Sequence, residues 1–456
     1  MSKRKTAPKW DQMPIVHPHA AGLDIGAAEI WACVPSSRDP EPVRYFPTFT
    51  PDLQRLADWL VACGIDTVAM ESTGVYWIPI FEILEARGLK LFLVNAQHIK
   101  HVPGRKSDWL DCQWIQTLHT LGLLAASFRP DAEMIALRTL LRHRAMLLEH
   151  RAPHILHMQK ALQHMNLLLH QVLSDVTGET GLQIIRAIVA GQRDPVQLAQ
   201  FRNPNCKSSQ DDIAKALTGN YAPEHLFTLT QALELFDFYT QQVAACDAEL
   251  ERRYAAMKPR WDGPDELPDV PPVKKGSRSK NQPAFNVRAH LLRLTGVDLV
   301  GVMGLSASTV QTILSEIGTE MACFPSEKHL ASWLGLAPHH EISGGKILRN
   351  GTLKGNHRAA QAFRQAAQSV ARSHSALGAY YRRQRARLGE AQAIVATAHK
   401  IARIVYHLLK HREAFIAESA ADYEARLQQR ELAQLKRKAA KLGLSLVPVA
   451  QATLAT

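Results

Sequence analysis

Asp24 stands in the segment GLDIG, an acid among small and apolar neighbours. Burying it there is costly unless metal, hydrogen bonds or a counter-charge satisfy it. Glu71 ends the apolar run IDTVAM and opens the turn ESTG, where strand ends commonly project functional groups. Asp108 and Asp111, in KSDWLDCQW, are three residues apart, so a helix would set both carboxylates on one face. Each acid alone is more often a turn residue, a cap or a solvated charge. If the fold gathers all four, their mutual repulsion raises their pKa values and destabilises the chain unless divalent metal balances them. Magnesium suits all-oxygen ligands, and manganese would satisfy the same residues. Two such ions about 4 Å apart can stabilise the attacking and leaving oxygens of an in-line phosphoryl transfer. Lys106, just before the Asp pair, could contact a phosphate, although a solvated lysine is the commoner case.

A second candidate centre lies far downstream. Ser343 stands in ISGGK, followed by Lys346, Arg349, Lys354 and Arg358. The two glycines permit close approach of the backbone to a phosphate, and the four cations supply compensating charge. A serine hydroxyl is a poor nucleophile unless metal, a base or a positive field assists it. A covalent phosphoserine would conserve the energy of a broken phosphodiester and allow rejoining. The plainer alternative is that SGG is only a turn and the basic residues only grip phosphate.

These residues need elements to hold them. Residues 21–34 alternate as a buried strand, 65–70 and 89–94 read likewise, and PDLQRLADWLVACG and YWIPIFEILEARG have helical spacing ending at Gly64 and Gly88. The alternation predicts an α/β sheet domain over 18–130. An Asp in the first strand, a Glu at a later strand end and an Asp pair on a following helix are what an RNase H-like (RuvC-like) nuclease requires. From 131 to 257 the pattern is helical, suited to coiled-coil packing and oligomerisation, with a kink or break expected at Pro153. Residues 258–287 are rich in Pro, Gly, Ser and charge and read as a flexible linker. A basic, mainly helical domain carrying the serine is expected over 288–412, opened by a helix-turn-helix pair, and 413–456 as a helix fraying into a tail.

The formal charge of +12 favours a polyanionic partner. From His339 to Arg412 there are fourteen Lys or Arg against two Glu, so this one stretch equals the surplus of the whole chain. Such one-sided charge favours a phosphate-facing surface over a solvated helix face. The six cysteines form no CxxC pair, which argues against zinc and disulfides. The basic N-terminus precedes no apolar stretch of signal length, and no run approaches about 18 apolar residues, so a reduced cytoplasm without membrane attachment is expected.

Taken together, GLDIG, AMESTGVYW, VNAQHIKHVPGRKSDWLDCQWI and FPSEKHLASWLGLAPHHEISGGK resemble the DEDD transposases of bacterial insertion-sequence family one hundred and ten. The likeness covers roughly 20–130 and 288–375. It implies metal-binding acids at Asp24, Glu71, Asp108 and Asp111 and a nucleophilic serine at Ser343. It further implies a transposase or site-specific recombinase acting on donor and target DNA, guided by a structured (bridge) RNA encoded in the element. A homo-tetramer, a dimer of dimers joined partly by the central helices, would carry the reaction in the bacterial cytoplasm at the nucleoid. Two departures stand out: LTGVDLVGVMGLSAS replaces the usual proline-and-glycine hairpin, and the linker and C-terminal tail have no counterpart role. A RuvC-like junction nuclease without covalent serine chemistry is the nearest alternative. GLDIG also resembles the first phosphate loop of sugar-kinase and actin-like ATPases, but no second phosphate loop follows. A non-catalytic nucleic-acid-binding protein would bind without strand breakage.

Overall fold

The computed structural model describes residues 13–72, 74–95, 108–260, 270, 280–352, 355 and 357–446. The chain divides into two compact units, Met1–Arg129 and Pro130–Thr456.

In the first unit the stretch at 21–34 is two strands rather than one. β1 (Ala20–Ile25) and β2 (Glu29–Cys33) pair antiparallel, with the Gly26 amide donating to the Glu29 carbonyl at 3.0 Å. A Cβ at Gly26 would lie 2.9 Å from that oxygen, so the tight reversal needs glycine. Continuous apolar character concealed the turn, because both arms of the hairpin are buried. β3 (Val43–Pro47) follows, then α1 (Thr50–Ala62), β4 (Thr67–Glu71), α2 (Trp77–Ala86), β5 (Lys90–Val94) and α3 (Asp108–Thr120). The sheet order is β3-β2-β1-β4-β5; β4 runs parallel to both β1 and β5, and β2 is antiparallel to its neighbours.

Side chains alternate across a strand, and the two faces bury different partners. Ala21, Leu23, Ile25, Val68 and Met70 pack on Leu53, Leu56 and Leu60 of α1 and Ile80 and Leu84 of α2. The opposite face sets Ala69 and Val94 against Ile115 and Leu118 of α3. This mixed sheet fits the α/β expectation for the first unit.

The second unit is mainly helical. α4 (Ala132–His164), three short helices and a turn of helix lead to α9 (Pro223–Ala256); between them lie α5 (Leu169–Val172), α6 (Glu179–Val189), α7 (Pro195–Ala199) and α8 (Gln210–Ala216). α4 runs through Pro153 without ending. Proline costs about 3 kcal/mol inside a helix, but buried Leu137, Leu147, Met158 and Leu162 on either side hold α4 in place. A buried Arg144–Asp247 ion pair joins α4 to α9, with one of its hydrogen bonds at 3.1 Å.

Most of the expected linker, 261–269 and 271–279, lies outside the described residues. Of its described parts some are buried and others, such as Lys258 and Asn281, are exposed. Val270 is buried against Ala289 and Leu292, and Lys280 pairs with Asp175. α10 (Val287–Thr295), a 3-10 turn (Leu299–Gly301) and α11 (Ala307–Ile317) occupy the expected helix-turn-helix stretch. After α12 (Glu327–Trp333) come two strands, β6 (Pro338–Ser343) and β7 (Lys346–Thr352), then α13 (Arg358–Ser369), α14 (Ala376–Leu388), α15 (Glu390–His411) and α16 (Ala420–Lys441). Arg138 of α4 donates to the Ser315 carbonyl at 2.9 Å and Arg142 to Glu316 at 2.7 Å, tying α11 to the central helix.

Candidate metal centre and serine hairpin

Leu23 and Met70 are cross-strand partners facing α1 and α2, so alternation turns Gly22 and Asp24 on β1, and Ala69 and Glu71 on β4, toward α3. Three contacts agree with that geometry. A Cβ on Gly22 would lie 2.3 Å from the Gln116 nitrogen and 2.4 Å from the Cys112 oxygen, so α3 crosses β1 in direct backbone contact. Thr67, two and four residues before Ala69 and Glu71, has its Oγ1 2.9 Å from Nε2 of His119 on α3. The Cys112 thiol is pushed well up in pKa, first by its hydrogen bond with Cys33, then by burial and the nearby charges of Cys33 and Asp24.

Asp24 and Glu71 thus emerge at the carboxyl ends of neighbouring parallel strands, both half-buried, on the face that α3 covers. The helix begins at Asp108 and carries half-buried Asp111 one turn on, directly before buried Cys112. Small residues make this possible, since Gly22 and Ala69 leave room for the helix where larger side chains would hold it off. The Asp108 side chain and Lys106 lie outside the described residues. Among the described residues no three carboxylate, imidazole or thiol groups are drawn into a metal cluster. Asp24, Glu71 and Asp111 offer only oxygen donors, the chemistry that a hard divalent cation takes.

His119, fully buried at the other end of α3, is kept neutral, its pKa pulled down to about 4 by burial and by the charges of His17 and Lys90. It is a packing histidine remote from the strand ends that carry the acids.

Ser343 is set differently. It ends β6 and pairs with Lys346 at the start of β7, closing a hairpin through Gly344 and Gly345 at φ +55° and +78°. Both central residues are left-handed, the two-residue turn in which glycine is favoured. The glycines read above as a close-approach element are therefore also what makes the reversal. Ser343 and Lys346 are exposed, as are Ile342, Ile347 and Leu348 at 63, 58 and 70%. Arg349 lies on β7 opposite Glu341, and Arg358 is exposed at the first turn of α13; Lys354 lies outside the described residues. Sequence reasoning offered SGG as a turn but expected a mainly helical domain around it and did not read the two flanking strands, whose one signal was Gly-Gly between Ile342 and Ile347.

Two stretches of the chain match two sequence models of one kind of enzyme. Residues 21–167 match a DEDD transposase domain, DEDD_Tnp_IS110, and residues 298–382 match Transposase IS116/IS110/IS902 family, together just over half of the chain. A comparison with curated proteins gave no match. The four acids fall in the first match and Ser343 with its cations in the second, so the chain is a DNA transposase/recombinase whose DEDD domain depends on divalent metal. It belongs to the IS110 family of insertion-sequence transposases. Among the described residues no helix is long and apolar enough to cross a membrane.

Proposed function

We propose that this transposase is an RNA-guided recombinase that breaks and rejoins donor and target DNA through Ser343, with Asp24, Glu71, Asp108 and Asp111 as its metal ligands. The observation that carries the reading is the exposed serine at the turn of a basic hairpin, in a chain whose other unit turns Asp24 and Glu71 to one face of its sheet. An isolated two-stranded hairpin is marginally stable in water, so one left exposed suits an element that engages nucleic acid.

In the proposed step Oγ of Ser343 attacks a backbone phosphorus, an Oγ–P bond forms, a P–O bond of the DNA breaks, and the departing oxygen takes the proton that Oγ gives up. Attack by a hydroxyl of the exchanging strand reverses the step, restores the serine and joins the new strand. Lys346, Arg349, Lys354 and Arg358 offset charge on the phosphate and fix its position. Bound magnesium would neutralise the carboxylates and stabilise charge on the phosphoryl oxygens. An element-encoded guide RNA would choose the sites by base pairing, consistent with the net +12 stretch that reads no sequence by itself. A tetramer, a dimer of dimers, would hold the exchanging strands.

The test combines protein, magnesium, RNA transcribed from the flanks of the element, and donor plus target DNA. Recombinant junctions and a protein–DNA adduct are expected, both lost in Ser343→Ala, and junctions require the RNA. Unchanged cleavage in Ser343→Ala would leave a RuvC-like metal nuclease, and RNA-independent junctions would remove the guide.

A further inference from the structure

The last helix uses only part of its surface within its own chain. One stripe of α16 pins it down: Tyr423 is buried, Leu427 half-buried, and Glu431 accepts a hydrogen bond from Arg383 of α14 at 2.6 Å. The Lys400 amino group of α15 lies between the Tyr380 and Tyr423 rings, 4.3 and 4.8 Å from their centroids. A second apolar stripe is open. Leu432, Leu435 and Leu442 are 49, 53 and 75% exposed, Leu442 being the residue that caps the end of α16, and Ala439 between them is half-buried. Their spacing of three, four and three residues is the a and d pattern of a heptad. At about 100° per residue this stripe is turned roughly a quarter of the helix circumference from the pinned one.

We propose that this stripe is the seam of a short parallel coiled coil with the same helix of a second copy of the chain. Charge selects that occupant. With Leu432 and Ala439 at a, and Leu435 and Leu442 at d, Glu431 falls at g and Lys436 at e. In a parallel pair each g position meets the e position five residues on in the other helix, so Lys436 of one copy meets, on both sides of the seam, the Glu431 carboxylate that already accepts from Arg383 of its own chain. The flanking pairs, Glu424 with Gln429 and Lys438 with Gly443, oppose no like charges. Leucine at d suits two strands. Arg430, Arg437 and Lys441 fall outside the seam, and phosphate contacts through them would leave the leucines in water, so nucleic acid is not the occupant this stripe selects.

The test uses the full chain without nucleic acid. Leu435→Cys under mild oxidation should give a disulfide between the two copies at position 435, read by mass spectrometry, and Gln434→Cys on the outer face should not. The pair Leu432→Glu and Leu435→Glu, both at exposed positions, should raise at least tenfold the protein concentration at which the assembly dissociates in sedimentation. Absence of the 435–435 bond together with an unchanged dissociation midpoint overturns the proposal. Cross-linking only between Leu432→Cys and Leu442→Cys chains overturns the parallel pairing. Lost DNA affinity with an unchanged midpoint assigns the face to nucleic acid and overturns it as well.

Discussion

Gly22 shows how much a single missing side chain can position. Its Cβ would meet the α3 backbone at 2.3–2.4 Å, so Gly22→Ala must move the helix that brings Asp111 to the sheet. Overpacking of this kind costs about 1–3 kcal/mol. Cleavage should fall more than the melting temperature does, since the acids lose register before the fold is lost; thermal melts beside a cleavage assay will show it. Asp24→Ala has the opposite signature, removing cleavage while leaving stability equal or higher, because a half-buried carboxylate on the face that α3 covers carries a desolvation cost. His119 gives a pH prediction. Its folded pKa of about 4 lies below the unfolded value near 6.5. The unfolded chain therefore binds the proton first, and stability is present above about pH 6.5 and is lost as pH falls toward 4. The loss should be roughly 3 kcal/mol, seen as a shift in urea midpoint that His119→Gln reduces.

At the scale of elements, the β6–β7 hairpin depends on two left-handed residues at its tip. Gly345→Val puts a β-branched residue at φ +78°, which strains the turn and slips the register that pairs Ser343 with Lys346. Because the hairpin is exposed, its loss should leave the unfolding free energy within about 1 kcal/mol of wild type while strand transfer disappears. A hydrogen-exchange comparison restricted to 338–352 would separate a local effect from global unfolding. α4 illustrates the reverse case, in which tertiary burial on both sides of Pro153 keeps a helix whole that local preference would interrupt.

Across the whole molecule, the charge is concentrated where the second unit presents its hairpin and α13–α15. DNA affinity should fall linearly on a log–log plot against salt, and Lys346→Ala should reduce the slope by about one. Chelation of divalent metal should stop cleavage yet leave salt-sensitive binding intact, and added magnesium should restore it.

Composition and local pattern were sufficient for an α/β unit followed by helices, for the order of the four acids and for the basic serine segment, because alternation, helical spacing and charge are read along the chain. Only the tertiary structure decided that 21–34 turns back on itself, that SGGK is the tip of an exposed hairpin, and that the expected linker is partly packed. It also decided which face of the sheet receives Asp24 and Glu71. The reason is the same in each case: facing requires knowing which element lies across, and Gly22 and Ala69 announce a close neighbour only once α3 is seen to pack there.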